Sequence, residues 1–167
     1  SSDDAETVLE HCILEFGAGF RNEMLWIAYA NPRVLNCTFR TSRFRGLTVT
    51  DSNPRIESCQ FLGNADYALA ITPNAFPALI GNTATDNGSD SIGIFGGTVS
   101  TGGTWVRDDI PYTVINDTVI AEGAELTLAP GVILQFQDPD DDLTVDGALV
   151  ARGTPAQPIL FTSNDLA

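Results

Sequence analysis

The residues of this chain equipped for chemistry are few and unevenly placed. The single histidine, His11, precedes a cysteine in the run EHC at residues 10–12, with Glu15 close by. A histidine beside a thiol can activate a nucleophile, but neighbours on a strand point to opposite faces, so the pair is misdirected and a surface or turn histidine is the plainer reading. Cys12, Cys37 and Cys59 recur at nearly equal intervals, with no CxxC pair and no second histidine to complete a zinc site. They read as an inward stack of small apolar side chains, flanked by Phe39 and Phe61. One disulfide between neighbours stays open as the alternative, since an odd count leaves a thiol over.

The carboxylates are the other candidates. The stretch QDPDDDLTVDG concentrates Asp138, Asp140, Asp141 and Asp142 in one turn. Hard oxygen ligands on a turn suit Ca²⁺, although the spacing is not that of an EF-hand and a solvated turn is the alternative. Asp66, Asp86 and Asp90 occupy comparable loop positions and could edge a groove; glycoside hydrolysis needs two carboxyls about 5 to 9.5 Å apart. The chain shows no nucleophile elbow, phosphate loop or zincin motif, so no catalytic or cofactor-binding residue is assigned. Arg33, Arg40, Arg43, Arg45 and Arg55 face one acid, Asp51, between residues 33 and 55, a local charge of 5 − 1 = +4 in a chain of −14. They read either as partners of acids on neighbouring loops or as a docking patch for an acidic polymer or another copy of the chain.

What must position these residues is a repeat. Asn31-Pro32 returns as Asn53-Pro54, a step of 53 − 31 = 22, and Phe76-Pro77 follows at 76 − 53 = 23. LWI at Leu25, LTV at Leu47, LAI at Leu69 and IGI at Ile92 keep the same step of 22, 22 and 23. The apolar pieces alternate with polar residues as half-buried strands do, and Asn-Pro, Gly-Asn and Asn-Gly pairs mark the turns between them. No segment carries helical spacing over three turns. A fixed period of this size means a solenoid: one coil cannot bury its inner face, but coils stacked about 4.8 Å apart give each strand parallel neighbours. The predicted fold is all-β, a parallel β-helix of about seven coils forming a single domain over residues 1–167.

At 167 residues and 43% hydrophobic content the chain has a core-forming composition, with no apolar run long enough to cross a membrane. Fifteen Asp and seven Glu stand against eight Arg and no Lys. Such a surface repels nucleic acid and anionic lipid, and suits either concentrated salt or an acidic extracellular protein. The start SSDDAETVLE has neither the basic nor the apolar part of a signal peptide, so export would imply that the signal lies outside this sequence.

AEGAELTLAPGVILQF, LTVDGALVARGT and PILFTS resemble recurring rungs of secreted right-handed parallel β-helix proteins of the pectin-lyase-like superfamily. VLEHCILEFG, VLNCTF and IESCQF resemble their later rungs. The resemblance covers nearly the whole chain and implies a right-handed coil, while activity stays open among adhesins, surface proteins, lyases and hydrolases. Lyases of the superfamily use acids that bind Ca²⁺ with a Lys or Arg as base, and Lys is missing here. The rung order is inverted, so the sequence reads as one unit of a longer array, or as a subunit stacking head to tail on itself. Ile159 and Phe161 would then meet Val8 and Leu9. The expectation is a secreted or cell-surface structural or adhesive module, more readily non-enzymatic, without membrane insertion. A carbohydrate-active β-helix that binds or cleaves an extracellular polysaccharide is the alternative.

Overall fold

A computed structural model describes residues 7–17 and 22–164. Each coil contains three short strands. Coil 1 holds β1 (Val8–Glu10), β2 (Ile13–Glu15) and β3 (Glu23–Ala28); coil 2 holds β4 (Arg33–Leu35), β5 (Thr38–Arg40) and β6 (Arg45–Thr50). Coil 3 holds β7 (Arg55–Glu57), β8 (Gln60–Leu62) and β9 (Tyr67–Ile71); coil 4 holds β10 (Ala78–Ile80), β11 (Thr83–Thr85) and β12 (Ser89–Ile94). Coil 5 holds β13 (Gly97–Val99), β14 (Gly103–Trp105) and β15 (Tyr112–Val114); coil 6 holds β16 (Thr118–Ile120), β17 (Glu125–Leu128) and β18 (Ile133–Phe136). Coil 7 holds β19 (Leu143–Val145), β20 (Ala148–Ala151) and β21 (Leu160–Ser163).

Every strand pairs in parallel with its counterpart one coil away. One sheet runs through all seven coils, in the order β21-β18-β15-β12-β9-β6-β3. It is the spine. Two four-stranded sheets, β1-β4-β7-β10 and β11-β8-β5-β2, complete coils 1 to 4, and two three-stranded sheets, β13-β16-β19 and β14-β17-β20, complete coils 5 to 7. Between coils 4 and 5, therefore, strand pairing continues only along the spine.

The corners explain why such short strands suffice. A single residue with left-handed backbone breaks an extended run and redirects it. His11, Asn36 and Ser58, with φ of 53°, 52° and 53°, fill one corner of coils 1 to 3, and Gly81 at 62° fills it in coil 4. Phe16, Thr41, Gly63 and Asp86 fill the next corner, with φ from 53° to 60°. For a residue other than glycine this backbone costs about 1 to 2 kcal/mol; the columns it aligns supply the compensating burial.

Those columns are the core. Leu9, Val34, Ile56 and Leu79 line up on the first side sheet, and Leu14, Phe39, Phe61 and Ala84 on the second. The rings of Phe39 and Phe61 stack at 5.1 Å and 13°. The spine contributes Leu25, Leu47, Leu69, Ile92, Tyr112, Leu134 and Phe161, so the second repeat marker of the sequence is an inward spine column. The longer first repeat is also located. Val8 pairs with Arg33 and Ile13 with Thr38, whereas Leu25 pairs with Leu47, so the extra residues of coil 1 fall between Glu15 and Glu23.

Candidate functional site

His11 stands at a corner rather than on a strand, which corrects the opposite-face argument while keeping its conclusion. Its left-handed backbone turns the chain, and its ring lies 4.0 Å from Glu10 with both side chains more than half exposed. The three thiols are free and form the expected column, but to different depths: Cys37 and Cys59 are buried and Cys12, in coil 1, is half-buried. Each thiol faces a backbone carbonyl two residues back, those of Glu10, Leu35 and Glu57. Burial raises the Cys37 thiol, and burial followed by the neighbouring Cys37 pushes Cys59 up to about 11. A buried protonated thiol is a poor nucleophile and a poor metal ligand.

The cysteine column continues into Asn82, whose spacing from Cys59, 82 − 59 = 23, keeps the repeat. Asn82, one step beyond Cys59, accepts the Cys59 N–H at 3.0 Å and donates to the Ile56 carbonyl at 3.0 Å and to Asp108 at 2.6 Å. A second column runs in parallel. Asn64 accepts the Ser42 N–H at 3.1 Å and donates to the Phe39 carbonyl at 3.1 Å; Asn87 accepts the Asn64 N–H and donates to the Phe61 carbonyl and to Asp90 at 2.7 Å. A buried backbone group without a partner is costly, and an amide side chain carries both a donor and an acceptor with which to serve two coils at once. Both columns end on an aspartate, Asp90 or Asp108, near the change of coil type. The sequence signals for them were that Asn82 keeps the cysteine spacing and that Asn87 follows Asn64 by 87 − 64 = 23, the latter hidden within the turn pairs Gly-Asn and Asn-Gly.

Of the acids proposed to edge a groove, two hold partners and the third makes a corner. Asp66 binds Arg45 at 3.1 Å, Asp90 terminates the asparagine column, and Asp86 forms a corner. Within the Asp138 to Asp142 turn, the Asp141 carboxylate accepts the Asp138 N–H at 2.9 Å, and the Asp142 N–H donates to Asp117 at 3.1 Å. No three His, Cys, Asp or Glu side chains are arranged around one point among the described residues.

Of the five arginines, Arg40 binds Glu15 at 2.7 Å, Arg55 binds Glu57 at 2.8 Å, and Arg45 lies between Glu23 and Asp66 with its guanidinium 4.0 Å from the centre of the Phe95 ring. Arg33 stacks in register under Arg55. Arg33 and Arg43 are exposed and reach no carboxylate among the described residues.

Sequence reasoning also missed the outer face of the spine, which is covered by its own side chains. A Cβ at Gly93 would come within 2.9 Å of the Tyr67 ring and 2.7 Å of Ile115, so glycine there lets both lie flat on the sheet. The Tyr67 hydroxyl donates to Gln137, three coils away. Burial, then Asp66, Asp141 and Asp138, push this phenol up to about 12.

Both outer coils expose the inner columns. At coil 7 an open hollow of about 410 Å³ is lined by Phe136, Leu143, Leu149 and Phe161 with Asp141 and Asp142. At coil 1 a hollow of about 210 Å³ is lined by uncharged residues, among them Leu9, Leu25, Trp26 and Ile27. Of the residues expected at a joint, Leu9 faces the column, Ile159 is partly buried against the core and Phe161 is 44% exposed; Val8 is 41% exposed, in register with the outward Arg33.

The description "right handed beta helix region" fits residues 2–119 of the chain, which is more than half of it. The chain belongs to the right-handed β-helix family. That membership supplies the hand of the coil and agrees with the resemblance read from the rungs. A 57-residue segment is 39% identical to Protein bark beetle of Drosophila melanogaster, covering 34% of this chain and 2% of that protein. The β-helix chain thus matches only a small part of that relative. No solved structure matches the chain. No helix among the described residues is long and apolar enough to cross a membrane.

Proposed function

We propose that the chain is a structural or adhesive β-helix module of a secreted or cell-surface protein, extended end to end by further coils of the same kind. The observation that carries this reading is that one parallel spine runs unbroken through all seven coils, with the inner columns still open to further coils at both outer ones among the described residues. Phe161 is 44% exposed while Leu134, its neighbour in the column, is fully buried; at the other end Leu9 and Leu25 are partly buried while Val34 and Leu47 are fully so. Strands β1 and β21 also carry backbone groups on their outer edges, which template another parallel strand. Contact of this kind is heterologous and grows into filaments when the rotation fails to close.

Sedimentation and electron microscopy of the purified chain across concentration test the reading. Rods that lengthen with concentration are expected. Deleting residues 159–167 should abolish lengthening while circular dichroism keeps its β signature. A chain that stays monomeric at high concentration in both low and high salt would overturn the reading.

A further inference from the structure

We propose that Asn36 is an acceptor for an N-linked oligosaccharide, an inference that rests on the secreted or cell-surface reading above. Three Asn-X-Ser/Thr triplets without proline occur in the chain: Asn36-Cys37-Thr38, Asn87-Gly88-Ser89 and Asn116-Asp117-Thr118. Such a triplet is an acceptor signal of exported proteins, and the sugar it carries is bulky and belongs on the surface. The fold sorts the three. Asn36 is exposed at the left-handed corner of coil 2, with φ 52°, and Thr38 faces outward beside the inward Phe39 at the start of β5. Neither the Asn36 amide nor the Thr38 hydroxyl holds a hydrogen bond among the described residues. The corner itself does not demand asparagine, because His11, Ser58 and Gly81 fill it in the other coils of the same kind.

Asn87 stands in the opposite situation. Its Nδ2 donates to the Phe61 carbonyl at 3.0 Å and to Asp90 at 2.7 Å, and its Oδ1 accepts the Asn64 N–H at 3.0 Å. A sugar on that nitrogen removes one of its two N–H groups, and with it a rung of the column. The chain beside it is closely packed, since a Cβ at Gly88 would come within 2.4 Å of the Ala65 carbonyl oxygen. Asn116 is exposed, but its Cβ lies 2.6 Å from where a Cβ at Gly96 would stand, and the buried Thr118 hydroxyl donates to the Asn116 carbonyl at 3.3 Å. Transfer takes place on the chain as it is exported. The Asn36 amide nitrogen bonds the anomeric carbon of a lipid-diphosphate oligosaccharide, the anomeric C–O bond breaks, the lipid diphosphate leaves with the bonding pair, and one amide proton passes to a base of the transferase. The corner between β4 and β5 joins the two side sheets on the edge away from the spine, so the sugar leaves the outer face of the spine clear.

Trypsin separates the three triplets, because the chain has no Lys and its arginines bound residues 34–40, 56–107 and 108–152. The protein is located in its native cells by fractionation, and the tryptic peptides are analysed intact by mass spectrometry. Residues 34–40 should carry a sugar mass in most molecules, and residues 56–107 none. Thr38→Ala, which keeps the corner asparagine, should lower that occupancy about ten-fold or more, and Thr38→Ser should retain it, with both variants still melting cooperatively. A surface or secreted protein whose 34–40 peptide is bare, or one that carries sugar on residues 56–107 and still melts cooperatively, would overturn the assignment and leave the module reading standing. A protein confined to the cytosol would defeat the surface reading and this inference together.

Discussion

Coils 1 to 4 and coils 5 to 7 share one spine and solve the rest of the cross-section differently. The first four keep a nearly constant period, turn on single left-handed residues, and carry a column of cysteines and Asn82 between their side sheets and a column of asparagines between the second side sheet and the spine. In the last three the period drifts: on the spine Ile92 pairs with Tyr112, Tyr112 with Leu134 and Leu134 with Phe161, each step longer than the one before. Two turns there rely on Gly123 and Gly131 at φ 82°, and stacked Trp105 and Tyr112 occupy the core at 5.7 Å. A side-chain amide column requires strict repetition, because each amide must meet the same backbone groups one coil away. Where that repetition stops, an aspartate closes each column and apolar packing takes over. The comparison separates two ways of keeping a solenoid in register, one by polar ladders and one by side-chain volume.

The largest effect that would break the comparison is a charge in the polar-ladder half. Cys59→Asp places a carboxylate in the dry column and is expected to cost about 4 to 5 kcal/mol or to prevent folding. Denaturant melts against wild type measure it. A cost under about 1 kcal/mol would mean that water reaches the column.

Next comes a paired truncation of aromatic residues. Phe61→Ala, in a fully buried stack, should cost about 3 to 5 kcal/mol, whereas Phe161→Ala, half exposed at coil 7, should cost the isolated chain clearly less. Equal costs would show that coil 7 is covered in solution. Removing one rung of the ladder is expected to be milder: Asn82→Ala orphans the Cys59 N–H and the Ile56 carbonyl, about 2 to 3 kcal/mol, while Asn53→Ala, whose carbonyl holds the exposed Phe76 N–H, should cost under about 1 kcal/mol.

The pH dependence sharpens the same contrast. The Cys59 thiol is raised in the folded chain, so its contribution is fully present below the unfolded value of 9.0 and is lost as pH rises towards about 11. Melting temperature should therefore fall across that window, and Cys59→Ala should flatten part of the fall. The smallest effect belongs to the surface: Glu15→Gln, removing the exposed partner of Arg40, should change stability by under about 1 kcal/mol.

The number of coils, the spine column and the cysteine column could all be read from the sequence, because apolar alternation and a fixed period are direct records of burial. Asn82 was legible as the next member of the cysteine spacing, but the column of Asn64 and Asn87 was not, since Asn beside Gly signals an outward turn and the same residue facing inward looks identical in one dimension. The aspartate at the end of the Asn82 column, Asp108, lies outside the repeat. Corners occupied by His11, Phe16, Tyr29, Thr41 and Ser58 carry no common residue type, so the left-handed positions left no mark. The arginine cluster was legible as charge; Arg55 pairs with Glu57 two residues along its own strand, whereas the pairing of Arg40 and Arg45, and the lack of a carboxylate at Arg33 and Arg43 among the described residues, depend on which acids the neighbouring coils bring near. The outer cover of the spine joins residues three coils apart, beyond the reach of any local pattern.

That last contact gives the molecule an unusual order of events. Strand pairing along the solenoid joins each strand to its counterpart one coil away, and although the spine steps range from 112 − 92 = 20 to 161 − 134 = 27 residues, closure entropy grows so slowly with length that each coil adds to its neighbour at a similar entropic cost. Assembly of the chain can begin at any coil and spread both ways, with no distant meeting required. The hydrogen bond between Tyr67 and Gln137, which skips two whole coils, departs from that pattern. It can form only after coils 3 to 6 are stacked, and so ties the two kinds of coil together across the outer face of the spine they share.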